Sequence, residues 1–121
     1  MEQDNMSTTI DIARDFTRTP GGRYISDGPF SGELFRDRLL VPALRKARQN
    51  GQPVVVILDG TRGYLSSFLE EAFGGLVREC GFTRQELNRL LEVKAIDEFY
   101  APYKLLAKRY ISDARERAIA I

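Results

Sequence analysis

Apolar Ile10 and Ile12, with Thr8, alternate against Thr9 and Asp11, so the chain opens with an expected strand over Thr8–Ala13. Pro20-Gly21-Gly22 marks a turn, Arg23-Tyr24-Ile25 reads as a short extended piece, and Ser26–Phe30 as a loop. Beyond that loop the apolar period lengthens. Leu34, Phe35, Leu39, Leu40, Ala43, Leu44 and Ala47 recur at helical spacing behind Ser31, a suitable N-cap, and Gly51 closes the run. Pro42 within it predicts a kink or a break, because proline donates no N–H and crowds the preceding turn.

Val54-Val55-Val56-Ile57-Leu58 is a short, mostly β-branched apolar run, the pattern of a central strand buried on both faces. After the loop Asp59–Leu65, Ser67 stands as the expected N-cap of a second helix, with Glu70 completing an S-x-x-E capping box. Phe68, Leu69, Ala72, Phe73, Leu76, Val77 and Cys80 form its stripe, and Gly81 its stop. Gly74-Gly75 in mid-helix costs about 1 kcal/mol each relative to alanine. That cost predicts a backbone lying close against the sheet or a neighbouring helix. A further box, Thr83 to Glu86, starts a short helix ending near Leu91; Glu92–Ile96 alternates as a strand, and a last helix runs from about Pro102 to Ala118. The order is that of an α/β layer architecture, a small mixed sheet with helices packed against it.

Composition narrows the chemistry more than it shapes the fold. The 121 residues carry 18 basic and 17 acidic side chains, a formal charge of +1, with no histidine and one cysteine. One ordinary domain is the expectation. Without histidine there is no Ser-His-Asp triad, no Cys-His pair and no histidine metal site, and Cys80 alone makes neither a disulfide nor a metal centre. Cys80 therefore reads as a small buried hydrophobe. The first ten residues, MEQDNMSTTI, carry no apolar leader region, which points to a soluble cytoplasmic protein with no membrane partner. Charge is segregated all the same. Residues 31–50 and 103–121 each hold five basic and two acidic residues, +3 apiece, and read as solvated helix faces or as a basic patch for an acidic partner. Phe99, Tyr100, Tyr103 and Tyr110 interleave with Lys104, Lys108 and Arg109, but a net charge of +1 and no recognition module argue against nucleic acid. The tyrosines are expected to pack on the sheet.

Functional groups in open α/β sheets gather beyond the carboxyl ends of the strands. That rule selects Asp59-Gly60-Thr61-Arg62-Gly63-Tyr64-Leu65-Ser66-Ser67-Phe68, with two serines at a helix start where negative charge is stabilised. Ser67 is equally explained as a plain cap. The glycine-rich stretch from Pro20 to Gly32 lacks the spacing of a nucleotide loop. It reads as an ordered turn, in which Asp27 and Arg36, with Asp59, are candidates for ion pairing. Phe30 there is either a plug for the core or an exposed anchor.

The run VVVILDGTRGYLSSFLEEAFGGLV at Val54–Val77 resembles the strand–loop–helix core of STAS domains, the fold of bacterial anti-sigma-factor antagonists. PGGRYISDGPFSGELFRDRLL and GYLSSFLEEAFGGLVRECGF look more specifically like the STAS-like domain family of unknown function, over about Ile10 to Ile111. The resemblance implies a serine at the helix start that a partner kinase of the histidine-kinase-like ATPase fold phosphorylates. By position that serine is Ser67, with Ser66 its neighbour; Leu65 precedes the pair where the antagonists have aspartate, and Phe68 follows where they have glycine.

The combined expectation is a non-enzymatic regulatory module that needs no cofactor or metal. It would dock a protein partner through Asp59, Gly60, Arg62, Gly63, Tyr64 and Phe68, together with Asp27 and Phe30 of the preceding loop, with Ser67 as a phospho-switch. The alternative is a small-ligand binder or enzyme in the same strand-end crevice, working through Asp27, Asp59 or Glu70.

Overall fold

The computed structural model describes residues 7–116. Three strands, β1 (Thr8–Asp11), β2 (Val54–Ile57) and β3 (Leu91–Lys94), form a sheet in the order β1-β2-β3. Both pairings are parallel, with Ile10 beside Val56 and Val56 beside Val93, so the expected mixed sheet is parallel throughout these residues. Parallel neighbours require long crossovers. The first carries the short α1 (Ile12–Asp15), the glycine-rich loop and the long helix α2 over 32–50; the second carries α3 over 66–78 and α4 (Arg84–Leu90). The last helix, α5 (Ala101–Asp113), packs mainly on α3 rather than on the sheet.

Right-handed crossovers that step twice in the same direction lay their helices on one face of the sheet, and burial follows that asymmetry. Ile10, Val54, Val56 and Val93 are buried, whereas across the sheet Thr9, Glu92 and Lys94 are exposed and Val55 and Ile57 only half-covered. The central strand is therefore not buried on both faces as its apolar run predicts. On the covered side Phe35, Leu44, Leu58, Phe68, Phe73 and Leu76 close a continuous core.

Several local expectations hold and others shift by a turn. Ser31 caps α2, its Oγ accepting from the Leu34 N–H at 3.1 Å, and Gly51 ends the helix at φ 75°. Pro42 neither breaks nor splits it. A π turn over Arg36–Leu40 precedes the proline, with the Val41 N–H reaching back to the Arg36 carbonyl, and the chain stays helical to Asn50. The widened turn absorbs the proline, as π bulges do inside longer helices. β1 stops two residues early because Asp11 turns to cap α1 through the Arg14 N–H. β3 ends at Lys94 because the Ile96 and Asp97 N–H groups are diverted to the Asp59 carboxylate. The expected extended piece Arg23–Ile25 instead leads into a 3-10 turn at Ile25–Asp27. Thr83 caps α4 as expected, while Glu86 pairs with Arg48. Helix α5 ends at Asp113, short of the expected end at Ala118, which lies outside the described residues.

Candidate functional site

Helix α3 begins two residues earlier than the serine pattern predicts. Leu65 is its N-cap and offers no side-chain bond, so Ser67 is not the cap and Glu70 closes no capping box. Ser66 is exposed and Ser67 half-buried, both within the first turn, where backbone N–H groups lack helical partners.

Three loops converge on this helix start. The loop from β2 passes Asp59, whose carboxylate accepts from Ile96 and Asp97, both at 2.8 Å, and thereby ties it to the loop after β3. Tyr100 donates its hydroxyl to the Thr61 carbonyl across the same junction. Gly63 adopts φ 108°, and a Cβ there would press on the Tyr103 hydroxyl. On the other flank the glycine-rich loop packs against α3 so closely that a Cβ on Gly32 would collide with the Phe68 carbonyl.

The side chains expected at this site divide between core and surface. Tyr64 is 8% exposed and donates its hydroxyl to the Leu58 carbonyl at 2.7 Å; Phe68 is fully buried against Phe16, Phe35 and Tyr64. Both are removed from the docking surface, because the loop needs them as its attachment to the core. Burial raises the Tyr64 phenol above its ordinary value, so it stays a neutral donor. Asp59 and Asp27 are not in ion pairs with any described residue: Asp27 accepts from the Arg23 and Tyr24 N–H groups and closes the 3-10 turn. Gly60 and Arg62 are exposed, Gly63 is half-buried, and Phe30 is 38% exposed, resting edge-on against Phe16 at 5.8 Å.

Arg36, the third residue considered for ion pairing, is buried and pairs with Glu71 at 2.7 Å, as well as with Asp37. Glu70 and Glu71 stand on a π turn of α3, Glu70–Gly74, and Arg23 and Arg78 reach both of them. The paired glycines explain the room. A Cβ on Gly75 would collide with Arg36 Nη1, and one on Gly74 would crowd the Tyr110 carbonyl of α5, so neighbouring helices do lie close. Burial pushes the Glu70 carboxyl up, but hydrogen bonds from Arg78 and Arg23 outweigh it and leave Glu70 below its ordinary value. Cys80 is half-buried, and desolvation raises its thiol, in keeping with a packing role.

Sequence reasoning missed the most informative feature of the rim. Among the described residues seven large apolar side chains are exposed: Tyr24, Ile25, Phe30, Leu65, Ile96, Phe99 and Leu105. All but Leu105 lie on the three loops around the start of α3. Apolar residues at the edge of polar loop segments, as Ile25, Leu65 and Ile96 are, were the available signal. Beside them an open hollow of about 450 Å3 is lined by Asp11, Arg14, Arg18, Asp59, Gly60 and Ile96.

No helix among the described residues is long and apolar enough to cross a membrane. Comparison with curated proteins and with solved structures finds no match. A family profile does match, from the Ser31 cap of α2 to Tyr100 after β3, a narrower span than the resemblance suggested but more than half of the chain. Those residues hold β2, the serine-bearing helix start and β3 in one α/β unit, and on them the chain belongs to the STAS-like domain of unknown function family (DUF4325).

Proposed function

We propose that this chain is a non-enzymatic regulatory module that docks a protein partner through the rim around the start of α3. The observation that carries the reading is the placing of Tyr24, Ile25, Phe30, Leu65, Ile96 and Phe99, each at least 38% exposed, on three loops that flank the helix start bearing exposed Ser66 and half-buried Ser67. Contiguous exposed apolar surface rimmed by polar groups marks an interaction site. The partner class is a kinase-like ATPase of a bacterial cytoplasm, and the switch is phosphorylation of Ser67, with Ser66 the neighbouring acceptor.

Electrostatics supports such a switch. Glu70 lies three residues after Ser67, on the same helix face, and holds Arg23 of the glycine-rich loop at 2.5 Å. A phosphate on Ser67 adds about −1.5 to −2 charges beside that carboxylate and competes for Arg23. The loop bearing Tyr24, Ile25 and Phe30 would shift, and the rim with it. An enzymatic reading of the crevice has less support: Asp59 and Asp27 are engaged by backbone N–H groups and Glu70 by arginines.

The test is affinity co-purification of the tagged chain from its native cells, comparing wild type, Ser67→Ala and Ser67→Asp, with the Ser66–Ser67 peptide scanned for phosphate. A partner retained by wild type and Ser67→Ala but lost by Ser67→Asp supports the switch. Equal retention by all three, with no phosphate found, overturns it.

A further inference from the structure

The free edge of the sheet lies away from the serine rim. β3 is an outer strand, paired only with β2 among the described residues. In the observed register Glu92 and Lys94 aim their backbone groups at β2; the Lys94 carbonyl receives the Leu58 N–H at 3.0 Å. Alternation then turns the N–H and C=O of Val93 outward, where no described residue bonds them. An open strand edge of this kind is a template for another chain.

The edge does not face bulk water directly. It borders a groove of about 330 Å3 between α4, β3 and α5, with Leu87, Leu91, Val93 and Ile111 as its apolar lining. Lys104 and Lys108 stand one helical turn apart along the α5 side, and neither has an ion pair with a described residue. Arg84 at one end is occupied by the Ala114 carbonyl and by Glu116, and Glu92 is the groove's one acid.

We infer that an extended, acidic segment of a partner protein adds to the outer edge of β3, pairing with Val93 while its carboxylates meet Lys104 and Lys108. Main-chain pairing supplies affinity in this mode, and the flanking side chains supply selectivity. Alternate apolar residues of the segment would enter the groove beside Leu87 and Ile111. A second copy of this chain fits less well, because pairing β3 with β3 sets both copies' Lys104 and Lys108 against each other. The surface is separate from the serine rim, so this inference and the docking function stand or fall independently.

The probe is a synthetic peptide of alternating valine and glutamate or aspartate, titrated into the full chain and followed by amide NMR. Two isomers carry N-methyl groups on one or the other alternate set of residues. Strand addition predicts shifts and slowed exchange at the Val93 amide, loss of binding for one N-methylated isomer, and retention for the other. Lys104→Glu with Lys108→Glu weakens the unmodified peptide about tenfold, and a lysine-for-acid version of the peptide fails to bind wild type. No binding by the acidic peptide, equal binding by both isomers, or binding indifferent to the peptide's charge would each overturn the inference. The peptide arms use unaltered protein, so they decide the matter even where the double variant fails to fold.

Discussion

The middle of α3 and its start, one turn apart, are built on opposite terms. At the π turn, Glu70 and Glu71 are surrounded by Arg23, Arg36 and Arg78, and every one of these charges has a partner. At the start, Leu65 caps without a side-chain bond, Ser66 faces solvent, and Leu65, Ile96 and Phe99 are each more than half exposed. Charge alone therefore does not separate a structural cluster from an open surface. The densest ionic cluster among the described residues is a clamp between helices, and the surface beside it carries exposed apolar side chains instead.

Breaking the clamp should show the largest effect. Glu71→Ala removes the buried carboxylate partner of Arg36, leaving the guanidinium only the half-exposed Asp37 and the residue 71 carbonyl, and is expected to cost about 3 kcal/mol in urea unfolding. Replacing both, with Arg36→Met and Glu71→Leu, should recover most of that loss, since it removes the uncompensated charge as well as the pair. A double variant as unstable as Glu71→Ala would mean that shape, not charge, is what the site requires.

Acid sharpens the same contrast. Glu70 is held below its ordinary value near 4.5, so the stability it contributes is complete above that value. It is lost as pH falls through the lower folded value, where the carboxylate takes up a proton. Thermal unfolding from about pH 5 to about pH 3 should therefore bring wild type and Glu70→Gln together, the advantage of wild type shrinking with each step down. A constant gap would place the Glu70 contribution in packing instead.

The rim should respond least in stability and most in binding. Leu65→Ser and Ile96→Ser are expected to stay within about 0.5 kcal/mol of wild type by denaturant titration, as exposed substitutions generally do. Both should weaken partner retention in co-purification. A stability loss comparable to that of Glu71→Ala would move these side chains from the docking surface into the fold.

Much of the fold was legible along the chain because its signals are local. Ser31 and Thr83 cap their helices through neighbouring N–H groups, Gly51 supplies the left-handed stop, and Val54–Ile57 pair as a strand. The serine helix was misplaced by two residues because Ser67 and Glu70 carry a capping pattern that tertiary contacts override. Phe68 is drawn fully into the core, and Glu70 is claimed by Arg23 and Arg78. Tyr64 and Phe68 looked like surface candidates for a related reason: position in a loop says nothing about direction.

Local periodicity and composition determined the element types, the α/β class, the absence of histidine-based chemistry and the serine-bearing helix start. Those follow from backbone preferences and from which functional groups the chain possesses. Only the tertiary structure decided that one sheet face stays open, that Gly75 makes room for Arg36, and that β3 presents a free edge beside two lysines. Each of these depends on residues far apart in the chain meeting across a crossover, and no local pattern records which distant partner will arrive.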